Sequence, residues 1–437
     1  MSKIKIGVMG AYRGASMINY CKKAANAEVV AICDKWKEAL ELQKEQSEGM
    51  NIAFYDNFDD FIKHDMDAVV LANYANQHAP FAIRAMKEGK HVFSEVLPVQ
   101  TMKEAVELIE TVEETGKIYA YGENYCYMPA TYEMKKLYEK GEIGEFEYAE
   151  GEYIHNCDKI WHALTYGDKN HWRNNLYATY YCTHSLGPIV HITGLRPVSV
   201  TGFEGLKVER KRSKGEKSGS FGIEMVTFEN GGIAKSIHGG LYKNSYWWSM
   251  YGSKGRMESA RADADAGYFY HLYLNRDEYP CGYETEKKDS YDPSRGQEEI
   301  SKNFGHGGAD YYCMYNFVEK IKGNPKADTI DVYEAMDMFL PGMFAYRSIL
   351  AGGIPQEIPN LREKAERDKW RNDTGCTDPS VAGDMLWPTC STGTPEIDDS
   401  VYEYVQKLWD EECNKTEGRY RDMVIKSGTK KFDHSVD

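Results

Sequence analysis

The sequence predicts an α/β protein of two domains: an N-terminal doubly wound parallel sheet, then an α+β domain. Three observations carry that reading. An apolar run at the N-terminus feeds a glycine-bearing turn, a helix and a second apolar run that ends on an acid. Apolar runs then alternate with helical stretches as far as residue 122, the rhythm of parallel strands joined by crossover helices. Beyond residue 145 the pattern changes to period-two alternation, the mark of strands with one buried face. A chain of 437 residues accommodates both domains and a tail. The expected boundaries are 1–128, 129–352 and 353–437. The last is an extension, rich in Pro, Asp, Thr and Gly, that wraps the core or a neighbouring subunit and holds one helix over 398–415.

The first strand covers Ile4 to Met9 and runs into Gly10-Ala11-Tyr12-Arg13-Gly14. A helix over 16–25 and a strand over 29–33 follow, ending on Asp34. Strand, tight turn, helix, strand and acid form half of a dinucleotide-binding unit. Glycines let the backbone approach a pyrophosphate, and the helix start offers unpaired N–H groups and a positive dipole end. Gly10, Tyr12, Arg13 and Gly14 are therefore candidate cofactor contacts, although Tyr12 stands where a middle glycine is usual. An acid after the second strand accepts from both ribose hydroxyls, so Asp34 favours NAD over NADP. A charged helix over 37–48, a short strand over 53–55 and a small helix over 57–63 come next. The run 68–72 is apolar throughout, as a strand buried on both faces must be. Asn73 to His78 follow at its carboxyl end, where such sheets bind ligands. A helix over 79–88 stops at Gly89; a strand over 90–94 leads to Glu95 and Pro98. Thr101 and Glu104 make a capping box for a helix to residue 115, and a strand over 118–122 precedes Glu123, Asn124 and Tyr125.

Bulk composition removes several function classes. Lys+Arg 53 against Asp+Glu 68 gives a net charge of −15, a poor match to nucleic acid. One basic run, 207–217, breaks that trend and reads as a solvated loop between strands. Ten cysteines without a C-x-x-C spacing point to reduced thiols in a cytoplasm rather than to zinc or a redox pair, and no metal site is expected. With no apolar leader and no run of membrane length, no membrane partner is expected. The 33 tyrosines and 8 tryptophans supply the aromatic faces and phenols suited to holding sugars.

The order of glycine turn, acid, Asn/His turn, Gly89-Lys90-His91-Val92 and Glu95 resembles the glucose–fructose oxidoreductase / inositol dehydrogenase (Gfo/Idh/MocA) family of NAD(P)-dependent enzymes, from residue 3 to about 350. The resemblance implies bound NAD, with Asn73, His78, Glu95 and Asn124 beside it. It also implies that the second domain is an open, mostly antiparallel sheet backed by helices. Strands over 146–154, 222–228, 232–239 and 247–252, a hairpin at 252–255 and an amphipathic helix over 331–350 suit that architecture. A homo-oligomer, dimer or tetramer, formed through the open sheet is implied as well.

The resemblance further places His184 on the family's catalytic histidine. A dehydrogenase needs a base near neutral pH to take a hydroxyl proton as hydride leaves the same carbon, and histidine has the suitable intrinsic range. Tyr180, one turn earlier, stands where the family carries aspartate and is assigned to share a face with His184; Glu95 is the third catalytic candidate. Three family groups are missing. Val96 replaces the lysine that usually follows the glutamate, Tyr180 the aspartate, and Tyr125-Cys126 an arginine. These departures point to a differently built sugar pocket, for which Glu123, Tyr125, Tyr153, His155, Trp172, Arg173 and His306 are the candidates. Tyr153 and His155 fall on one face by strand alternation; His171-Trp172-Arg173 resembles a family loop near cofactor and substrate; His306 precedes two glycines at a helix start. The stretch Thr183-His184-Ser185-Leu186-Gly187-Pro188 resembles a glycoside-acting branch of the family. The expected activity is NAD-dependent oxidation of a secondary hydroxyl, at C3, of a sugar or glycoside. Its rivals are a redox-assisted glycosidase or lyase with tightly bound, recycled NAD, and a non-catalytic nucleotide sensor.

Overall fold

The computed structural model describes residues 2–261, 271–277 and 286–413. The N-terminal sheet has six strands: β1 (Ile4–Met9), β2 (Ala27–Cys33), β3 (Ala53–Tyr55), β4 (Ala68–Leu71), β5 (His91–Ser94) and β6 (Tyr119–Tyr121). They lie in the order β3-β2-β1-β4-β5-β6, every pair parallel. The chain order reverses between β1 and β4, so the first turn opens into a crevice at the strands' carboxyl ends, the ligand position of doubly wound sheets. β4 is buried along its whole length, as its unbroken apolar run requires. The capping box forms: Thr101 Oγ1 accepts from Glu104 N at 3.1 Å, and the Glu104 carboxylate accepts from Gln100 N at 2.6 Å.

The second sheet comprises β7 (Phe146–Ile154), β8 (Pro197–Glu204), β9 (Phe221–Phe228), β10 (Ile233–Gly239), β11 (Ser245–Gly252), β12 (Gly255–Ser259), β13 (Leu272–Asp277), β14 (Glu286–Tyr291) and β15 (Gln356–Glu357). Their order is β14-β13-β12-β11-β7-β10-β9-β8-β15. Only β7 and β10 pair in parallel; the other neighbours are antiparallel, and β11 and β12 form the hairpin read from Gly252 and Gly255. The helix Thr183–Thr193 lies across β7, β10 and β11, and the helix Val332–Leu350 across β8 and β9.

Two expectations need correction. The helix Val332–Leu350 is not amphipathic: residues 335–346 are buried without a break, because it runs between the second sheet and the helix Met102–Thr115 of the first domain. The basic run 207–217 is not a solvated loop. Lys211 is 6% exposed and ion-paired with Glu216, Arg210 and Lys214 both pair with Asp158, and Arg212 donates to the carbonyls of Glu216 and Ser218 at 2.6 and 2.8 Å. Nearby carboxylates and carbonyls thus take up charges that the sequence alone gives to water.

The chain then runs back over its own first domain. Arg371 makes two 2.7 Å bonds to Glu110, and Arg367 grips Glu113 at 3.0 and 2.9 Å. The helix Asp399–Cys413 follows; residues 414–415 of the expected helix and the remainder of the extension lie outside the described residues. No helix among the described residues is long and apolar enough to cross a membrane.

Candidate active site

The first turn is shaped by its two glycines. Gly10 has φ +103°, and a Cβ there would lie 2.3 Å from Ala72 O; a Cβ on Gly14 would lie 2.3 Å from Gly10 O. Asp34 ties this turn to β2: its carboxylate accepts from Ala11 N at 2.6 Å and from Trp36 N at 2.9 Å. Burial pushes the Asp34 carboxyl up, and these backbone donors counter it. Around the turn, Ser16 Oγ at the helix start and Asn73 Oδ1 at the end of β4 are buried without a partner. A backbone cradle that excludes side chains, a carboxylate at the second strand and orphaned polar atoms between them fit a dinucleotide.

Arg13 does not stay at that turn. Its guanidinium reaches Glu95 at 2.7 Å and Asp310 at 3.6 Å. Burial raises the Glu95 carboxyl, with Arg13 offsetting part of that rise. Burial also opposes ionisation of Asp310, but His306 and Arg13 outweigh it and hold that carboxyl well below the usual range. Asp310 Oδ1 bonds His306 Nδ1 at 3.0 Å and accepts from Asn124 Nδ2 at 3.1 Å. Arg13 therefore sets a positive charge beside Glu95.

At the centre is a buried pair. His184 Nδ1 lies 2.7 Å from Glu123 Oε1, and Glu123 is 0% exposed. The helix that carries His184 is pressed onto the second sheet. A Cβ at Gly151 would collide with Ser185 O at 1.9 Å, Trp248 Nε1 donates to Ser185 O at 3.0 Å, and Ser185 Oγ meets Ser236 Oγ at 2.8 Å. The imidazole is thereby set among Tyr153 (4.5 Å between ring centroids), Tyr125 (4.8 Å) and Tyr181 (5.7 Å). With Nδ1 committed to a carboxylate, Nε2 faces the opposite side of the ring, the arrangement that makes histidine a directed base.

Beyond Tyr153 and Tyr181 opens a cavity of about 120 Å³, walled also by His155, Arg173, Lys211 and Glu216. Tyr153 OH and His155 Nδ1 are 3.0 Å apart, so these two do share a face as alternation predicts. The Arg173 guanidinium lies over the Trp172 ring at 4.5 Å and the Tyr181 ring at 5.6 Å. Burial pushes the Tyr181 phenol up, and Arg173 counters it by charge and hydrogen bond. His306, at φ +53°, leans inward to 6.3 Å from Tyr125.

Several assigned residues sit elsewhere. Tyr180 does not share a face with His184, because the helix starts only at Thr183; its ring packs on Tyr177 at 5.1 Å and Phe339 at 5.7 Å. Tyr181 takes the place assigned to it. Trp172 lines a crevice with Tyr180, Asn76 and Gln100 rather than the cavity beyond Tyr153, and serves as the platform for Arg173. His78 is a brace: Nδ1 lies 2.9 Å from Leu97 O and Nε2 3.2 Å from Asn73 O, and burial, which lowers its pKa to about 4, leaves the ring one N–H to donate to one of them. Asn124 donates through Nδ2 to Asp310, and its Oδ1 is buried without a partner. Sequence reasoning missed Tyr181, Tyr246, Trp248 and Asp310. Tyr181 too lies before the helix starts at Thr183, so helical spacing gave no signal for it, and all four converge only in the fold.

Residues 4–123 match the Gfo/Idh/MocA family, described as an oxidoreductase family with an NAD-binding Rossmann fold, and residues 285–371 match the C-terminal domain of glycosyl hydrolase family 109. The chain joins these two family domains. NAD is the cofactor of the first. The chain is 25% identical over 406 residues to a glycosyl hydrolase family 109 protein of Solibacter usitatus, covering 84% of this chain and 89% of the relative. It is 32% identical over 139 residues to an alpha-N-acetylgalactosaminidase of Bacteroides fragilis, 30% of this chain and 33% of that protein. In fold it resembles scyllo-inositol dehydrogenase of Lactobacillus casei, crystallised with NAD(H) and scyllo-inositol: TM-score 0.62 at 16% identity, covering 83% and 100% of the two chains.

Proposed function

We propose that the protein cleaves a glycoside by a closed redox cycle: the sugar C3 hydroxyl is oxidised, the aglycone is eliminated, water adds, and the ketone is reduced back. The observation that carries this reading is the presence of two proton-handling groups at one site, His184 on Glu123 and Tyr181 beside Arg173. A simple dehydrogenase needs one base; elimination needs a second, because the C–H next to the ketone must also lose its proton. Likeness to family 109 relatives along most of the chain supports the same reading.

Bound NAD supplies the hydride acceptor at C3 and the donor that restores it. Gly10, Gly14, Asp34, Ser16 and Asn73 are the groups that would hold it. His184 Nε2 takes the C3 hydroxyl proton, and Glu123 steadies the imidazolium that forms. The resulting ketone acidifies C2–H, which Tyr181 removes as a phenolate; burial opposes that phenolate, and the charge and hydrogen bond of the neighbouring Arg173 favour it. The electron pair left at C2 becomes the C1–C2 double bond as the C1–O bond to the aglycone breaks. Water then adds its oxygen to C1, the proton it gives up balancing the one that the departing aglycone oxygen takes, Tyr181 returns a proton to C2, and His184 returns one to the C3 oxygen. Tyr153 walls the cavity with an aromatic face for the sugar, and Tyr125, Tyr246 and Trp248 pack behind it.

The test is release of nitrophenol from a nitrophenyl α-N-acetylgalactosaminide, chosen from the name of the Bacteroides fragilis relative, alongside other nitrophenyl glycosides. Release without added NAD, from protein whose denaturation frees NAD(H), is the expected result. Keto-sugar accumulating in step with NADH would return the assignment to the dehydrogenase, and bound nucleotide with neither product would leave the sensor.

A further inference from the structure

The helix Asp399–Cys413 spans three parts of the molecule that belong to the two halves of the site. Trp409 stands 5.8 Å from Trp36 and 5.0 Å from Tyr166, ring centroid to centroid; Trp36 in turn meets Tyr12 at 5.7 Å and Tyr166 at 6.0 Å. Trp36 N is the group held by Asp34, and Tyr12 lies in the glycine turn itself. One end of the helix thus reaches, through Trp36, the carboxylate and turn that fit the adenosine side of a dinucleotide.

The same helix grips the segment that leads to Arg173. Glu412 Oε2 lies 2.6 Å from His162 Nε2, Lys169 Nζ 3.1 Å from Asp399 Oδ1, and a Cβ at Gly167 would come within 2.4 Å of Gln406 N. On its other flank Tyr402 OH donates to Gly215 O at 3.2 Å, in the basic run that walls the cavity. Fit that close, with a glycine at φ +71° to admit the helix backbone, is a built contact rather than a casual one.

We infer that the helix Asp399–Cys413 is a clasp that retains the nucleotide, with Trp409 closing the adenosine side against Trp36. A cofactor that is reduced and reoxidised within one turnover has no need to leave, so a clasp suits a closed cycle. The inference rests on the NAD-binding domain and not on that cycle, since a dehydrogenase could also be clasped.

The experiment follows dissociation of NADH from the full chain by the loss of energy transfer from tryptophan to bound NADH after a chase with excess NAD. Trp409→Ala is expected to speed dissociation by about tenfold, equivalent to about 1.4 kcal/mol and the upper range of an aromatic contact. Trp409→Phe is expected to stay near the parent rate, because it keeps a ring against Trp36. A dissociation rate in Trp409→Ala within about twofold of the parent overturns the clasp. Limited proteolysis of the unaltered protein reads the same point without a variant. Slower cleavage within residues 399–413 when NADH is present supports the inference, and cleavage at an unchanged rate overturns it. Aglycone release is measured in parallel. Fast NADH loss with release restored by added NAD leaves both readings standing, whereas absent release with tight NADH retention defeats only the glycosidase.

Discussion

Replacing Glu123 by Gln separates catalysis from stability at the centre of the site. The carboxylate accepts from His184 Nδ1 at 2.7 Å and from Tyr125 N at 3.3 Å through the same oxygen, Oε1. In the variant the amide carbonyl takes the Oε1 place, because two N–H donors point at it, and the ring keeps its orientation. What disappears is the charge. Hydrogen bonds to a charged group contribute about 1.5–3 kcal/mol against about 0.5–1.5 for neutral ones, so loss of the charge as His184 becomes an imidazolium costs about 1–2 kcal/mol. At about 1.4 kcal/mol per decade, kcat falls roughly 5- to 30-fold. Stability moves differently. Glu123 is fully buried and its Oε2 has no partner, so the amide keeps both bonds at Oε1 and exchanges one unpartnered polar group for another, with little change in stability. The assay is steady-state glycoside cleavage together with thermal melting. A slower enzyme with a little-changed Tm is expected. Unchanged kcat, or a Tm drop that accounts for the activity loss, would refute the pairing of Glu123 with His184 as catalytic.

Tyr181→Phe should abolish aglycone release while NADH binding persists, and Tyr180→Phe should alter release little, since only Tyr181 touches His184; equal losses in the two would undo that distinction. Gly10→Ala should weaken NAD binding by about tenfold or more, since left-handed strain of about 1–3 kcal/mol adds to a 2.3 Å clash with Ala72 O; isothermal calorimetry reads the change. His191 gives the pH dependence. Burial opposes its charge, but Glu334 at 2.5 Å and Asp328 at 3.2 Å overcome this and raise its pKa from 6.5 to about 9. Being raised on folding, it stabilises fully below pH 6.5, and that contribution of about 3 kcal/mol fades as pH climbs through 9. Urea melts of the parent should weaken over that window, and those of His191→Gln should be flatter.

The nucleotide-binding half was readable from the sequence because its determinants are local. Gly10, Gly14 and Asp34 sit at fixed distances within one strand–turn–helix–strand unit, and backbone sterics alone decide what can stand there. His184 was legible through its spacing, and Tyr153 with His155 through strand alternation. Tyr180 was misplaced because helical spacing was applied before the helix begins, at Thr183. His78 was given to the cofactor because sequence supplies its position at a strand end but not the two carbonyls that flank its ring. The Arg13–Glu95–Asp310 chain joins residues far apart along the polypeptide, and the basic run looked solvated because Asp158, one of its carboxylate partners, lies some fifty residues away.

The closed redox cycle makes one demand that neither a simple dehydrogenase nor a direct-displacement hydrolase makes: C2 of the sugar must exchange its hydrogen with solvent. Cleavage of the glycoside in D₂O, with the released sugar analysed by proton NMR, tests it directly. Deuterium at C2 of the product is the predicted result, because the Tyr181 phenol exchanges with solvent before it returns a proton, and product with no deuterium at C2 would contradict the account.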